Sequence, residues 1–231
     1  MADKVYGQYC GLAKALDLVG ERWALLIVRE LFFGPRRFAD LQDGLRGIST
    51  SVLTERLNRL EDGRLIFRRT LPPPAASKVY ELTEDGHELA RAMLPLAAWG
   101  VRILASSPRK RTEAFRPAWG FLFLRETFDA SLACGARGVH DVYEFHIDDS
   151  VITVIVDDGK LQVTEGHGGR PIDVEIHTDT STFIDVGLGR LGGRDAIRQG
   201  RLRLAGSEVA VARYSRIMRP LTGPGPRGSG A

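Results

Sequence analysis

The sequence predicts an α+β fold in two parts: a helical front half with one β-hairpin, then a second α+β half built on a mainly antiparallel sheet. Three observations predict it. Ahead of "SSPRKRT" (residues 106–112), apolar residues recur mostly at helical spacing. After Gly138 they alternate, in "VYEFHI", "VITVIV", "LQVTE" and "IDVEIHT", with Asp-Asp and Asp-Gly pairs at the turns between them. The composition also changes at "SSPRKRT", which places a boundary near residue 110. With 231 residues, 43% hydrophobic and 26% charged, the chain can bury a real core.

Taken in order, "CGLAKALDLVG" gives a first helix that stops near Gly20. "ERWALLIVRELFFG" gives a second, offering Trp23, Leu26, Ile27 and Leu31 to the core and ending at Gly34-Pro35. "RRFADLQDGL" gives a short third. "GIS" then turns the chain into a fourth helix, with Ser49 as its N-cap. "LIFRRTL" and "KVYELT" are two short strands around "PPPAAS". Thr83 starts a long helix, "EDGHELARAMLPLAAWGVRIL", whose Leu89, Met93, Leu96, Gly100 and Ile103 share one side and which Pro95 kinks. The last residues, 220–231, are rich in Gly and Pro and predict a disordered tail.

The fourth helix carries the first functional signal. Leu53, Leu57 and Leu60 share one side, while Ser51, Glu55 and Asn58 lie opposite, flanked by Thr54 and Arg59. Solvated helix faces usually carry Lys and Glu. Ser, Thr and Asn are weaker helix formers, but they suit close approach to a surface crowded with donors and acceptors. Helix, turn, polar-faced helix and basic hairpin together describe a winged helix-turn-helix. In that arrangement the second helix of the pair lies in the major groove of double-stranded DNA. Ser51, Thr54, Asn58 and Arg59 are then expected to meet bases or the nearby backbone, with Asn58 able to pair with adenine. Arg36, Arg37, Arg56, Arg68, Arg69 and Lys78 are expected to hold phosphates, Arg56 reaching sideways from nearer the core. Charge agrees: residues 1–110 hold 17 Lys+Arg against 13 Asp+Glu, and the remainder holds 15 against 16.

These residues resemble a known family. "CGLAKALDLVGERWALLIVRELFFGPRRFADLQ", "GISTSVLTERLNRLE" and "VYELTEDGHEL" are similar to the HxlR-type bacterial transcription regulators, relatives of the MarR group. The resemblance runs from about Cys10 to Leu104 and implies a homodimer that binds an inverted-repeat operator. Two positions depart from the family pattern: Gly11 stands where Pro commonly follows the N-terminal Cys, and Arg64 stands where Gly usually precedes the Leu matched by Leu65. The dimer is expected through the apolar sides of the first helix (Leu12, Leu16, Val19) and the long helix (Leu89, Met93, Leu96, Ile103).

The second half resembles another family. "PIDVEIHTDTSTFIDVGLGRLGGRDAIRQGRLRLAGSEVAVARYSRIM" is similar to the end of a sterol carrier protein 2-like domain, and coverage is about residues 115–219. The resemblance implies an α+β domain enclosing an apolar tunnel. Phe115, Trp119, Phe121, Phe123 and Phe128 are candidates for its wall, with Phe145 and Ile155 on the strands; the competing reading makes these residues ordinary core. This half shows no Lys, Arg or His cluster in its sequence, so an apolar, uncharged small-molecule effector is expected.

The domain division is therefore 1–110, 111–219 and 220–231. Two cysteines make no disulfide framework, no apolar run approaches the ~18 residues of a membrane span, and "MADKVYGQYCG" lacks a signal-peptide core. A cytoplasmic protein with no membrane partner is expected. Cys10 is expected to be a small buried hydrophobe, with a redox switch, as in some regulators of the HxlR family, as the alternative; Cys134 is read as structural. His87, His140, His146, His167 and His177 form no metal-ligand pair at helical or zinc-finger spacing, and Asp148-Asp149 and Asp157-Asp158 read as turn chemistry. No catalytic constellation, cofactor motif or metal site is expected. The reading is a dimeric DNA-binding regulator. Its rivals are a thiol-responsive regulator and a lipid carrier or accessory protein with a vestigial DNA-binding half.

Overall fold

A computed structural model describes residues 5–74, 76–105, 107, 113–127 and 136–217. Phe128, Cys134 and the tail lie outside the described residues, as does the side chain of Phe123. The chain divides into two compact units, Met1–Met93 and Leu94–Ala231.

The first unit contains α1 (Gly11–Val19), α2 (Ala24–Leu31), α3 (Phe38–Gly44), α4 (Thr50–Asp62), β1 (Ile66–Thr70), β2 (Lys78–Leu82) and α5 (Glu84–Ala92). Its core is made of the apolar stripes of these helices: Ile27, Val28, Leu31, Leu41, Leu53, Leu57 and Leu60 are all fully buried. Two expectations for α2 change. It starts at Ala24 rather than Glu21, because Trp23 takes a left-handed φ of 81° at its N-cap. Leu26 is exposed and Trp23 only half-buried, so neither is a full core residue. The hairpin pairs β1 and β2 antiparallel, and Arg36 adds a bridge to Tyr80 on the outer edge of β2.

Helix ends follow local chemistry. Ser49 Oγ accepts from the Val52 N–H at the start of α4, and Thr83 Oγ1 accepts from Gly86 N–H at the start of α5. Gly86 is required by close approach: a Cβ there would sit 2.0 Å from the Leu65 carbonyl oxygen. The end of α4 shows what the Arg64 departure does. Leu65 N–H donates to Leu60 O and Arg64 N–H to Glu61 O, both at 2.9 Å, a Schellman ending that places Arg64 at φ 57°. A side chain in that conformation costs about 1–2 kcal/mol. Arg64→Gly should therefore raise the unfolding free energy by about 0.5–1 kcal/mol, the relief being partly offset by the freer unfolded chain. Chemical denaturation of the two proteins measures this, and unchanged or lower stability would refute it.

The long helix is not kinked but divided. α5 stops at Ala92, and α6 (Leu94–Ala105) opens the second unit. Pro95 has no N–H to donate and its ring conflicts with the carbonyl four residues back, so it is accommodated in the first turn of a new helix.

The second unit continues with α7 (Pro117–Thr127), β3 (His140–Ile147), β4 (Ser150–Asp157), β5 (Lys160–Glu165), β6 (Val174–Thr178), α8 (Thr180–Gly187), α9 (Gly193–Arg198), β7 (Leu202–Gly206) and α10 (Glu208–Ile217). The sheet order is β5-β4-β3-β6-β7, with β3 and β6 parallel and the other pairs antiparallel. Asp148, Asp158 and Gly159 adopt positive φ at the two hairpin turns, which makes Asp148, Asp149 and Asp158 turn residues, while Asp157 ends β4. One sheet face carries Tyr143, Phe145, Ile147, Ile152, Val154, Val174 and Ile176, all buried. Phe121 of α7 packs edge-on against Phe145 at 4.9 Å, and Tyr214 of α10 meets Tyr143 at 5.3 Å. Asp179 caps α8 by accepting from Thr182 N–H and from the Ser181 and Thr182 hydroxyls. Although burial pushes its carboxyl up, the bonds from Thr182 and Ser181 prevail and bring its pKa down to about 2.

Candidate nucleic-acid interface

α4 is held by its leucines and presents its other side outward. Ser51, Thr54, Glu55 and Asn58 are exposed, while Leu53, Leu57 and Leu60 are 0–1% accessible. Thr54 Oγ1 donates to the Thr50 carbonyl and Ser51 Oγ lies 3.1 Å from Ser49 Oγ, so both hydroxyls retain acceptor capacity toward an incoming surface. Asn58 Oδ1 accepts from Arg68 Nη2 at 2.8 Å. Arg68 also pairs with Glu61 at 2.7 Å and lies over the Tyr80 ring, which ties the hairpin to α4.

The cations fall into two groups. Arg56 and Arg59 turn toward the α1–α2 corner. Arg56 donates to the Arg22 carbonyl and to Glu21, and its side chain is 12% exposed. Arg59 donates to the Asp17 carbonyl at 2.7 Å. Each would have to exchange an internal bond to reach a phosphate, so in this conformation both fix the pose of α4. Around the hairpin, Arg68 and Lys78 share a face with Tyr80, while Arg69 lies on the other face and pairs with Glu81. Arg37 is exposed at the N-cap of α3, where its N–H donates to Asp40. Arg36 is half-buried, its backbone paired with Tyr80 and its Nε 3.4 Å from the Glu30 carbonyl.

Three residues here were missed by the sequence reading. Gln42 Nε2 donates to Thr50 Oγ1 at 2.9 Å, bracing α3 against the first turn of α4. Thr50 itself is exposed at the N-terminal end of that helix, the end that reaches base edges in such motifs. Arg46 is exposed in the connection between α3 and α4. The helical repeat does contain the first two; their pairing depends on the turn angle, which the repeat does not encode.

The HxlR-like helix-turn-helix family matches residues 18–108. The HTH-type transcriptional regulator YodB of Bacillus subtilis is 35% identical over 88 residues, which cover 38% of this chain and 79% of that protein. The chain belongs to the HxlR-like family. The HTH-type regulator Rv3095 of Mycobacterium tuberculosis, itself uncharacterized, is 44% identical over 89 residues, and the chain spans little more than half, 56%, of its length. Among solved structures, the reduced form of YodB is 31% identical, covering 44% of this chain and all of that one, with a TM-score of 0.38. Residues 126–219 match the SCP-2 sterol transfer family. This HxlR-like chain thus joins a helix-turn-helix region to an SCP-2 region.

In the second unit the described residues of the expected tunnel wall do not line one cavity. Phe121 and Phe145 are buried against each other, with Phe183 and Tyr214 beside them, so they are core. Ile155 pairs with Val142 and Phe145 with Ile152, which puts Ile155 and Phe145 on opposite faces of the sheet; they cannot line one cavity. Trp119 is half-buried on α7. A cleft of about 270 Å³ lies instead between the start of α7 and strands β4 and β5, lined by Phe115, Arg116, Pro117, Ala118, Val151, Ile152 and Glu165 among others.

Cys10 is also corrected. It is exposed, not buried, and the Ala13 and Leu12 backbone N–H groups at the open start of α1 draw its thiol pKa below the ordinary value. The expectation of burial followed from the apolar helix after it, but the residue precedes that helix and is not part of its packed side. Among the described residues, no helix is long and apolar enough to cross a membrane.

Proposed function

We propose that this chain is a cytoplasmic, homodimeric transcriptional regulator without enzymatic activity, whose residues 1–110 bind an inverted-repeat operator and whose residues 111–219 respond to an apolar small molecule. The observation that carries the reading is the exposed band Ser51, Thr54 and Asn58 on a helix whose opposite side is buried, flanked by a hairpin bearing Arg68, Arg69 and Lys78. Ser51, Thr54 and Asn58 read the groove, and the hairpin cations with Arg37 hold phosphates. Leu12 on α1 and Leu96, Trp99 and Ile103 on α6 are at least half exposed, which supports pairing with a second copy through each of these helices; Val19 is buried in its own unit and takes no part. The effector reading is supported by the SCP-2 match; the cleft beside α7 carries the Arg116–Glu165 ion pair at its wall, at 3.6 Å. At about 270 Å³ the cleft is below the usual ligand range, so an apolar effector would act by opening it. Such an effector shifts DNA binding only through its difference in affinity between the two dimer conformations.

Light scattering and mobility-shift titration of the full chain on DNA flanking its own gene test the core of this reading. A dimer giving a sequence-specific, salt-sensitive complex is expected. A monomer, or binding indifferent to sequence, would leave the lipid-carrier reading standing.

A second reading is favoured by Cys10, whose exposure and lowered pKa are what a thiol switch needs. Under it, mild peroxide changes operator affinity and Cys10→Ser abolishes the change. Identical titrations before and after oxidation would dismiss it.

A further inference from the structure

On the face of the five-stranded sheet opposite the aromatic core, His146 and His177 come together, with His167 beside them from the loop after β5. β3 and β6 run parallel in register, so His146 sits directly beside His177 and Glu144 beside Glu175. The two imidazoles stack with centroids 4.5 Å apart and planes 13° from parallel. His177 Nε2 lies 3.3 Å from Glu175 Oε2. One ring nitrogen each of His146 and His177 and a carboxylate oxygen of Glu175 all lie within 4.8 Å of one another. Behind them is Glu144, whose side chain is 4% exposed; its Oε1 is 2.9 Å from His146 Nε2 and its Oε2 is 2.9 Å from His167 Nδ1.

We propose that His146, His177 and Glu175 form a binding site for a divalent transition metal ion of the zinc class. Two imidazoles and a carboxylate suit such an ion, leaving a further coordination position for water. Tetrahedral ligation needs ligand atoms roughly 3.4 Å apart, as follows from metal bonds of about 2.1 Å. The three groups are partly exposed side chains on a fixed backbone pairing, so ring rotation closes the gap without moving a strand. With His146 ligating through Nδ1, Glu144 on its Nε2 supplies what a ligating histidine usually has, a carboxylate that fixes the tautomer and raises basicity. The charge balance also favours a cation: two carboxylates, Glu144 and Glu175, outnumber Arg203, which is paired with His177 across β7 and exposed. The nearby His167 bonds Glu144 from the loop after β5, so it orders that carboxylate rather than ligating. The site uses none of the residues that line the cleft beside α7 and does not depend on DNA binding.

The test uses the untagged full chain, stripped with chelator and titrated with Zn²⁺ against a chromophoric competitor, with Co²⁺ as a spectroscopic probe. One ion per chain is expected, with ligand-field bands and no thiolate charge-transfer band, which separates the site from Cys10. The H146N/H177N double variant should lose more than about 100-fold in affinity, and Glu144→Gln about 10- to 100-fold, the range for an outer-sphere partner. His140→Asn, a change at the far end of β3, should bind as the parent does. Circular dichroism of each variant checks that it is folded. Absence of stoichiometric binding, a thiolate band, or full affinity in the folded H146N/H177N variant would overturn the proposal.

Discussion

Asn58→Ala is expected to weaken operator binding by about 5- to 30-fold per half-site and to relax preference at one base pair in each. A bidentate Asn–adenine contact is worth about 1–3 kcal/mol of discrimination. The lower part of that range applies here, because Asn58 does not start free: its Oδ1 already accepts from Arg68, and that bond is exchanged when the helix enters the groove. About 1–2 kcal/mol remains, which gives the stated fold-change at 1.4 kcal/mol per decade. Arg69→Ala provides the contrast. Its guanidinium pairs with Glu81 on the hairpin face away from Arg68 and Lys78 and exchanges that bond to hold a phosphate, so removing it should weaken all sequences alike and flatten the salt dependence by roughly one unit of slope per half-site. Competition titrations with single-base operator variants, at two salt concentrations, distinguish the two patterns. Unchanged affinity and preference in the Asn58 variant would remove α4 from the recognition role.

The local chemistry of the first unit was legible because each signal was short-range. Ser49, Thr83, the leucine stripe of α4 and the hairpin strands needed only a period and a cap rule, and each stands where that rule puts it. What the period could not convey was where long side chains turn. Arg56 and Arg59 lie next to the polar band in the helical repeat, yet their guanidinium groups reach back to Glu21, Arg22 and Asp17, because that corner offers two carbonyls and a carboxylate. Leu26 fits the α2 repeat but falls outside the packed side of a helix that begins three residues later than expected.

In the second unit the alternation of strands was legible and their partners were not. Phe145 and Ile155 both sit on alternating strands, but which face each occupies depends on register, and the register of β3 with β4 opposes Val142 to Ile155. The same blindness hid the histidines. A scan along the chain compares residues a few positions apart, whereas His146 and His177 meet because a crossover returns β6 beside β3 in parallel. Their juxtaposition is a property of topology, and so is the buried carboxylate beside them.

Topology also sets the largest stability effect expected in this unit. Asp141 is 2% exposed on β3, and it accepts two hydrogen bonds from Arg213 of α10, at 2.8 and 2.7 Å, and one from the Tyr143 hydroxyl at 2.8 Å. Burial alone would raise its carboxyl pKa, but the Arg213 and Tyr143 hydrogen bonds outweigh burial and hold it below the ordinary aspartate value. Asp141→Ala leaves both partners without their acceptor. Breaking a buried pair in this way costs about 3–5 kcal/mol. Arg213 is 34% exposed and can rehydrate, so the lower bound, about 3 kcal/mol, is expected. Asp141→Asn keeps an acceptor for Tyr143 and should cost less, about 2 kcal/mol. The pH dependence follows from the sign of the shift. A carboxyl with a depressed folded pKa contributes stability that is complete above its unfolded pKa of about 4 and disappears as pH falls through the folded value. The gap between parent and Asp141→Asn should therefore be constant from neutral pH down to about pH 5 and narrow below about pH 4. Urea unfolding followed by strand-sensitive circular dichroism across that range measures it. A gap that widens with acid, or an Asp141→Ala variant as stable as the parent, would show that α10 is held to the sheet by its apolar contacts alone.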